Sequence, residues 1–125
     1  MLEDDSDDRY ITNEAIETMG FQIDIDFFPQ SSDLFNFLNT TKPDLILVDY
    51  NSTPENGIQV LKKLKQATAL RSIPVVILSD SDHPKYRAEC YAEGASTFVK
   101  KPTSVDKTDR KIKSFFTYWT EVAAV

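Results

Sequence analysis

Apolar residues along this chain fall into two kinds of pattern that take turns from one end to the other. Phe21, Ile23, Ile25 and Phe27 alternate with Gln22, Asp24 and Asp26, the period of two shown by a half-exposed strand at a sheet edge. Leu45–Val48 and Val75–Leu78 are instead continuously apolar, as parallel strands covered on both faces are. Thr97–Phe98–Val99, after the Gly94 turn, reads as a short last strand. Between these runs the period becomes helical. Tyr10–Met19 puts Ile11, Ala15 and Met19 on one face, with Asp5 or Ser6 as cap and Asp7 and Asp8 in the first turn, where carboxylates offset the positive helix end. Ser31 or Ser32 caps the next helix, with Leu34, Phe35 and Leu38 inward. Gly57 precedes a third carrying Ile58, Leu61 and Leu64, and Pro84 starts a fourth that runs through Tyr91 and ends at Gly94, Pro at a helix start and Gly past its end being the favoured order. Ile112, Phe115, Phe116, Trp119 and Val122 make one side of a fifth.

Strand and helix alternating in short units predict an α/β fold, a doubly wound parallel sheet joined by right-handed crossovers. In such a sheet chemistry collects beyond the carboxyl ends of the strands. Glu3, Asp4 and Asp5 open the first loop there, Asp49 ends the Leu45–Val48 run, Ser79 ends the Val75–Leu78 run, and Lys101, followed by Pro102, ends the last.

At 125 residues, 41% of them hydrophobic, the expectation is one domain over residues 1–125 with one core. The single cysteine, Cys90, has no internal partner and points to a reducing, cytoplasmic setting. No apolar run is long enough to cross a bilayer and Met1 is followed by acids, so neither membrane nor export is expected. The formal net charge of −6 disfavours direct contact with nucleic acid. With one histidine, His83, zinc clusters and serine–histidine triads are excluded.

Carboxylates gathered at one rim repel one another unless a cation joins them. A hard divalent ion such as Mg²⁺ fits, since it takes one or two carboxylates, a carbonyl and several waters. With that charge neutralised, Asp49 can attack phosphorus as a nucleophile, while the Lys101 ammonium and the Ser79 hydroxyl hold phosphoryl oxygens.

In these residues the chain resembles the receiver domain of two-component response regulators over essentially its whole length. Glu3 and Asp4, Asp49, the hydroxyl Ser79, the aromatic Phe98 and the Lys101–Pro102 pair stand in family order. Asp49 follows Asp4 by 45 positions, Ser79 follows Asp49 by 30 and Lys101 follows Ser79 by 22, close to the family's spacing. The resemblance implies a flavodoxin-like sheet of five strands in the order 2-1-3-4-5 with five helices. It also implies a phosphoryl group accepted on Asp49 from a sensor histidine kinase or phosphotransfer protein. Mg²⁺ would be positioned by Glu3, Asp4, Asp49 and the Asn51 carbonyl, and Ser79 and Phe98 would rearrange as a switch, the Phe98 ring passing from exposed to buried. Because Val125 closes the chain, a stand-alone receiver that is not an enzyme and signals through a downstream partner protein is expected; the resemblance leaves room for a homodimer.

The chain departs from the family at three places. Ser52 and Thr53 stand where Met-Pro is usual, with Pro54 one position later; Asp80 follows the hydroxyl where a small residue is preferred; and most of the first strand expected ahead of Glu3 is missing. These departures motivate an alternative, a degenerate receiver that binds partners without phosphorylation. A second alternative is a Mg-dependent aspartyl-phosphate phosphatase of the haloacid dehalogenase-like kind. It needs an acid two residues after the nucleophile, and Asn51 stands there.

Overall fold

The computed structural model describes residues 1–18 and 23–101. They belong to two units. One comprises Met1–Asp4 and Asp26–Lys101; the other comprises Asp5–Ile25 with Pro102–Val125. The expected fifth helix, with Phe115 and Trp119, and Pro102 lie outside the described residues.

In the second unit, α1 spans Ser6–Thr18. Its start is fixed by Asp5, whose Oδ1 accepts from the N–H groups of Asp7 (2.8 Å) and Asp8 (3.1 Å). That satisfies two of the donors a helix leaves unpaired at its N-terminus.

The first unit contains α2 (Ser31–Leu38), β1 (Ile46–Asp49), α3 (Gly57–Gln66), β2 (Val75–Ser79), α4 (Pro84–Ala92) and β3 (Thr97–Lys100). The three strands form a parallel sheet in the order β1-β2-β3, with Ile46 opposite Val75 and Ile77 opposite Phe98. Parallel pairing needs a crossover between neighbours, and α3 and α4 supply the two crossovers, packing on β1 and β3. Alternation along the strands sorts the side chains. Ile46, Val48, Val75, Ile77 and Phe98 join Leu34 and Leu38 of α2, Val60, Leu61 and Leu64 of α3, and Cys90 of α4 in one core. Leu47 and Val76 point the other way and are buried too, which is why these runs are apolar at every position. Each such aliphatic side chain contributes about 1.5–3 kcal/mol by leaving water.

The expected first two strands are reduced to single parallel bridges, Leu2 to Val48 and Leu2 to Phe28. Of the Phe21–Phe27 strand, residues 21 and 22 lie outside the described residues, and residues 23–27 carry no ladder; the pairing falls on Phe28 instead. The bonds here are Phe28 N–H to Met1 O (2.9 Å) and Glu3 N–H to Phe28 O (2.9 Å), with the Met1 ammonium donating to Asp26 O (2.6 Å). A second correction concerns α2. Its cap is Gln30, not Ser31 or Ser32, and Gln30 makes no side-chain cap bond; Ser31 is instead the first helical residue, buried, its hydroxyl donating to Glu55 Oε1 (2.7 Å). At α4, His83 caps through Nδ1, which accepts from Lys85 N–H (3.1 Å), and Gly94 follows the helix with φ 99°, a left-handed value that glycine adopts at little cost. Cys90 is buried and burial pushes its thiol up to about 11, so it is a core residue. Among the described residues no helix is long and apolar enough to cross a membrane.

Gly57 is fixed by close approach. Its N–H donates to Tyr50 O (2.8 Å), and a Cβ there would stand 2.7 Å from Tyr50 Cα and 3.1 Å from Asp49 O. Because the obstacle is backbone, relief requires the end of β1 or the start of α3 to move. Gly57→Ala is expected to cost about 1–3 kcal/mol, as overpacking does, and to lower the midpoint of urea unfolding; an unchanged midpoint would show that the two segments are free to separate.

Candidate functional site

Four segments of the first unit meet at the carboxyl edge of the sheet. Leu2 is bonded on both sides of its peptide to β1, its N–H to Leu47 O (2.8 Å) and its carbonyl from Asp49 N–H (3.1 Å). Glu3 is thereby set next to Asp49. Both are buried, while Asp4 is exposed. One carboxylate oxygen from each of Glu3, Asp4 and Asp49 lies within 4.8 Å of the others.

Two buried carboxylates at this separation cannot both remain charged without compensation, and Lys101 supplies it. Its backbone N–H donates to Ser79 O (2.7 Å), which continues the β2–β3 pairing past Lys100 and turns the side chain into the site. Nζ stands 2.9 Å from Glu3 Oε1 and 3.2 Å from Asp49 Oδ2. One ammonium serves two carboxylates, so the compensation is incomplete. Burial pushes the Glu3 carboxyl up to about 8; the Lys101 hydrogen bond pulls it down and the Asp49 carboxylate pushes it further up.

Asp49 is oriented from its own loop. Oδ1 accepts from Asn51 N–H (3.0 Å), and its main-chain oxygen accepts from Ser52 N–H (3.2 Å). Asn51 turns its side chain outward, Nδ2 donating to Asp80 Oδ2 (3.3 Å), so Asp80 closes over the site's mouth from the β2 side. Ser79 is buried at the end of β2 and its Oγ accepts from Ser81 N–H (3.2 Å). The predicted Glu3, Asp4, Asp49 and Lys101 are thus brought together, with Asn51 on the adjoining loop and Ser79 at the end of β2.

Phe98 differs from the expectation of an exposed ring, being 3% exposed. Its register opposite Ile77 turns it to the core face, where Tyr50 meets it edge-on at 6.5 Å between centroids and the Arg87 guanidinium lies 5.3 Å above it. Tyr50 also stacks on Tyr86 at 5.1 Å. Tyr50 escaped the sequence reading because it lies two residues beyond the apolar run, where periodicity carries no signal. Ser52 and Glu55 were missed as well: Ser52 is buried and its hydroxyl donates to Glu55 O (2.6 Å). The loop's other anchor was legible in principle, since Asn56 and Gln59 have capping-box spacing and make both reciprocal bonds, 3.0 and 2.8 Å. The shifted Pro54 follows Thr53 through a cis peptide.

A parallel sheet with acids, a hydroxyl and a lysine at its carboxyl edge defines a class of small signalling domains, and the comparisons give the family. The family model described as "Response regulator receiver domain" matches residues 1–113, and this chain belongs to that family. Among curated proteins, it is 35% identical to the two-component response regulator ARR17 of Arabidopsis thaliana over 82 residues, 66% of this chain and 52% of that protein. It is 31% identical to the phosphate regulon transcriptional regulatory protein PhoB of Escherichia coli (strain K12) over 115 residues, 91% of this chain and 49% of that protein. The chain spans about half the length of these relatives. Among solved structures, the Mn²⁺-bound form of response regulator Rcp1 is similar with a TM-score of 0.87 and 25% identity, over 99% of this chain and 95% of that one. The receiver domain from Rhodospirillum rubrum gives 0.87 and 26%, over 96% and 91%. The flavodoxin-like receiver fold is therefore the fold of this chain.

The raised Glu3 carboxyl has a measurable consequence. Between about 4.5 and about 8 the folded state holds a proton that the unfolded state has released, so this group's stabilising contribution is present below about 4.5 and lost as the pH rises through about 8. In metal-free protein, urea midpoints of wild type relative to Glu3→Gln are expected to fall across that range; a constant difference would mean that Glu3 is ionised throughout.

Proposed function

We propose that the chain is a stand-alone receiver over residues 1–125 that accepts a phosphoryl group on Asp49 and passes the signal to a partner protein. The observation that carries the reading is the Lys101 ammonium bonded to both Glu3 and Asp49 beside the exposed Asp4 carboxylate. The donor is a phosphohistidine on a sensor histidine kinase or phosphotransfer protein. The match to Rcp1 over 99% of this chain supports a receiver fold along it, and the lack of an acid at Asn51 supports a signalling role over that of a phosphatase. A cytoplasmic location is in keeping with the reduced, buried Cys90.

Glu3, Asp4 and Asp49 are hard oxygen donors close enough to share a divalent cation, and with the Asn51 carbonyl they would hold Mg²⁺. Bound there, the ion supplies charge neutralisation for the transferring phosphoryl group. The residues do the rest. A carboxylate oxygen of Asp49 forms a bond to phosphorus as the phosphorus–nitrogen bond to the donor's imidazole breaks, leaving that nitrogen pair on the donor and an acyl phosphate on Asp49. Lys101, already 3.2 Å from Asp49 Oδ2, turns from the carboxylate to the phosphoryl oxygens. Ser79 Oγ now accepts from Ser81 N–H, which leaves its own hydrogen to donate to the phosphoryl group. Movement of Ser79 toward that group disturbs Phe98 of β3, and the two together form the switch.

Incubation with Mg²⁺ and a small phosphodonor, read by intact mass, tests this. One phosphoryl adduct is expected, absent in Asp49→Asn and absent after chelation with EDTA. An adduct that persists in Asp49→Asn would move the acceptor elsewhere, and one that survives chelation would remove the metal from the reaction. Lys101→Ala is expected to fold and to accept phosphate while losing the phosphorylation-dependent change in amide exchange at Phe98, because the differential contact between the two states is gone. Wild-type exchange changes in that variant would take the switch away from Lys101.

A further inference from the structure

We infer that Glu55 is a positioning residue for the phosphoacceptor loop: it ties the Asn51–Ser52 stretch to α2 and α3 and so sets the carbonyl of Asn51 for the divalent ion, an inference that rests on the metal reading above. Three elements converge on this one residue. Its Oε1 accepts from the hydroxyl of Ser31 at the first position of α2 (2.7 Å), and its Oε2 is paired with Lys63 Nζ on α3 (2.5 Å). Its main-chain oxygen accepts from the Ser52 hydroxyl (2.6 Å). Ser31 and Ser52 are buried, where a hydroxyl is costly to leave without a partner, so Ser31 holds the Glu55 side chain to α2 and Ser52 holds the loop to the Glu55 main chain. Ser52 passes the restraint inward, since its own N–H donates to Asp49 O (3.2 Å) while the neighbouring Asn51 N–H is on Asp49 Oδ1 (3.0 Å). Lys63 and Ser31 also hold the Glu55 carboxyl below its ordinary range, which keeps both oxygens available as acceptors.

The helices on either side do not need this contact to form. The start of α3 is held by the Asn56–Gln59 capping box and by Gly57 N–H on Tyr50 O (2.8 Å), and α2 buries Leu34 and Leu38. Loss of the Glu55 side chain therefore frees the end of this loop from Ser31 of α2 and Lys63 of α3, while the Ser52 hydroxyl keeps its bond to the Glu55 main-chain oxygen. Removal of a group that orients a metal ligand typically weakens binding 10- to 100-fold.

Mn²⁺ binding to the full chain, measured by electron paramagnetic resonance of the free ion well below the melting temperature, tests this. Glu55→Ala is expected to raise the Mn²⁺ dissociation constant about tenfold while Cys90 stays protected from thiol reagents, the sign of an intact core. Glu55→Gln keeps an acceptor for Ser31 and loses the charge facing Lys63; it is expected to bind between wild type and Glu55→Ala, and it decides the matter should the alanine variant not fold. Wild-type affinity in both variants would overturn the role of Glu55 and leave the metal reading standing. A wild-type chain that binds no Mn²⁺ would overturn both.

Discussion

Everything at the carboxyl edge is arranged around one ammonium between two buried carboxylates. Lys101 lies within bonding distance of both Glu3 and Asp49 and offsets the charge of acids sunk into this edge. Breaking a buried pair leaves an uncompensated charge, whereas the intact pair adds little net stability because desolvation offsets the attraction. Such a contact is poorly explained as scaffolding. In the function proposed above, it is a resting state in which a cation is held in place for a charge that arrives later.

The parallel sheet makes that contact between residues far apart in sequence. Glu3 and Lys101 come from the two ends of the first unit, and Asp49 lies between them in space because Leu2 bonds to β1 and Lys101 N–H bonds to Ser79 O. The hydrogen bonds are backbone ones and independent of side-chain identity. The burial of Ile46, Val48, Val75 and Ile77 holds them in register, since a slip by one residue would turn each apolar side chain to the other face.

Much of this was legible in the chain. Continuous apolar runs marked β1 and β2 to within a residue, and Pro84 and Gly94 marked the limits of α4, because both signals are local. Asp49, Ser79 and Lys101 stood out because each closes or follows an apolar run, and Glu3 and Asp4 because they open the first loop. Where pairing depended on a distant partner, the pattern misled: the alternation from Phe21 to Phe27 describes amphipathic character, but the bridge to Leu2 falls at Phe28. Ser31 was misassigned for a related reason. A serine at a helix start is a good cap in isolation, and only the fold brings Glu55 to compete for its hydroxyl. Tyr50, Ser52 and Glu55 lie in a loop, where neither period applies.

The clearance at Gly57 bears on how the domain can respond at all. With α3 seated against the backbone of Tyr50 at less than a side chain's width, the β1 side of the site has no slack. The β2 side differs: residues 80–83 are exposed, and their contacts, Asn51 to Asp80, Ser81 to Ser79 and Asp82 to Arg87, are polar ones near water. A push applied at Asp49 meets a stiff wall on one side and a yielding one on the other. The room for a displacement at this edge therefore lies toward α4 and the Arg87–Phe98 contact.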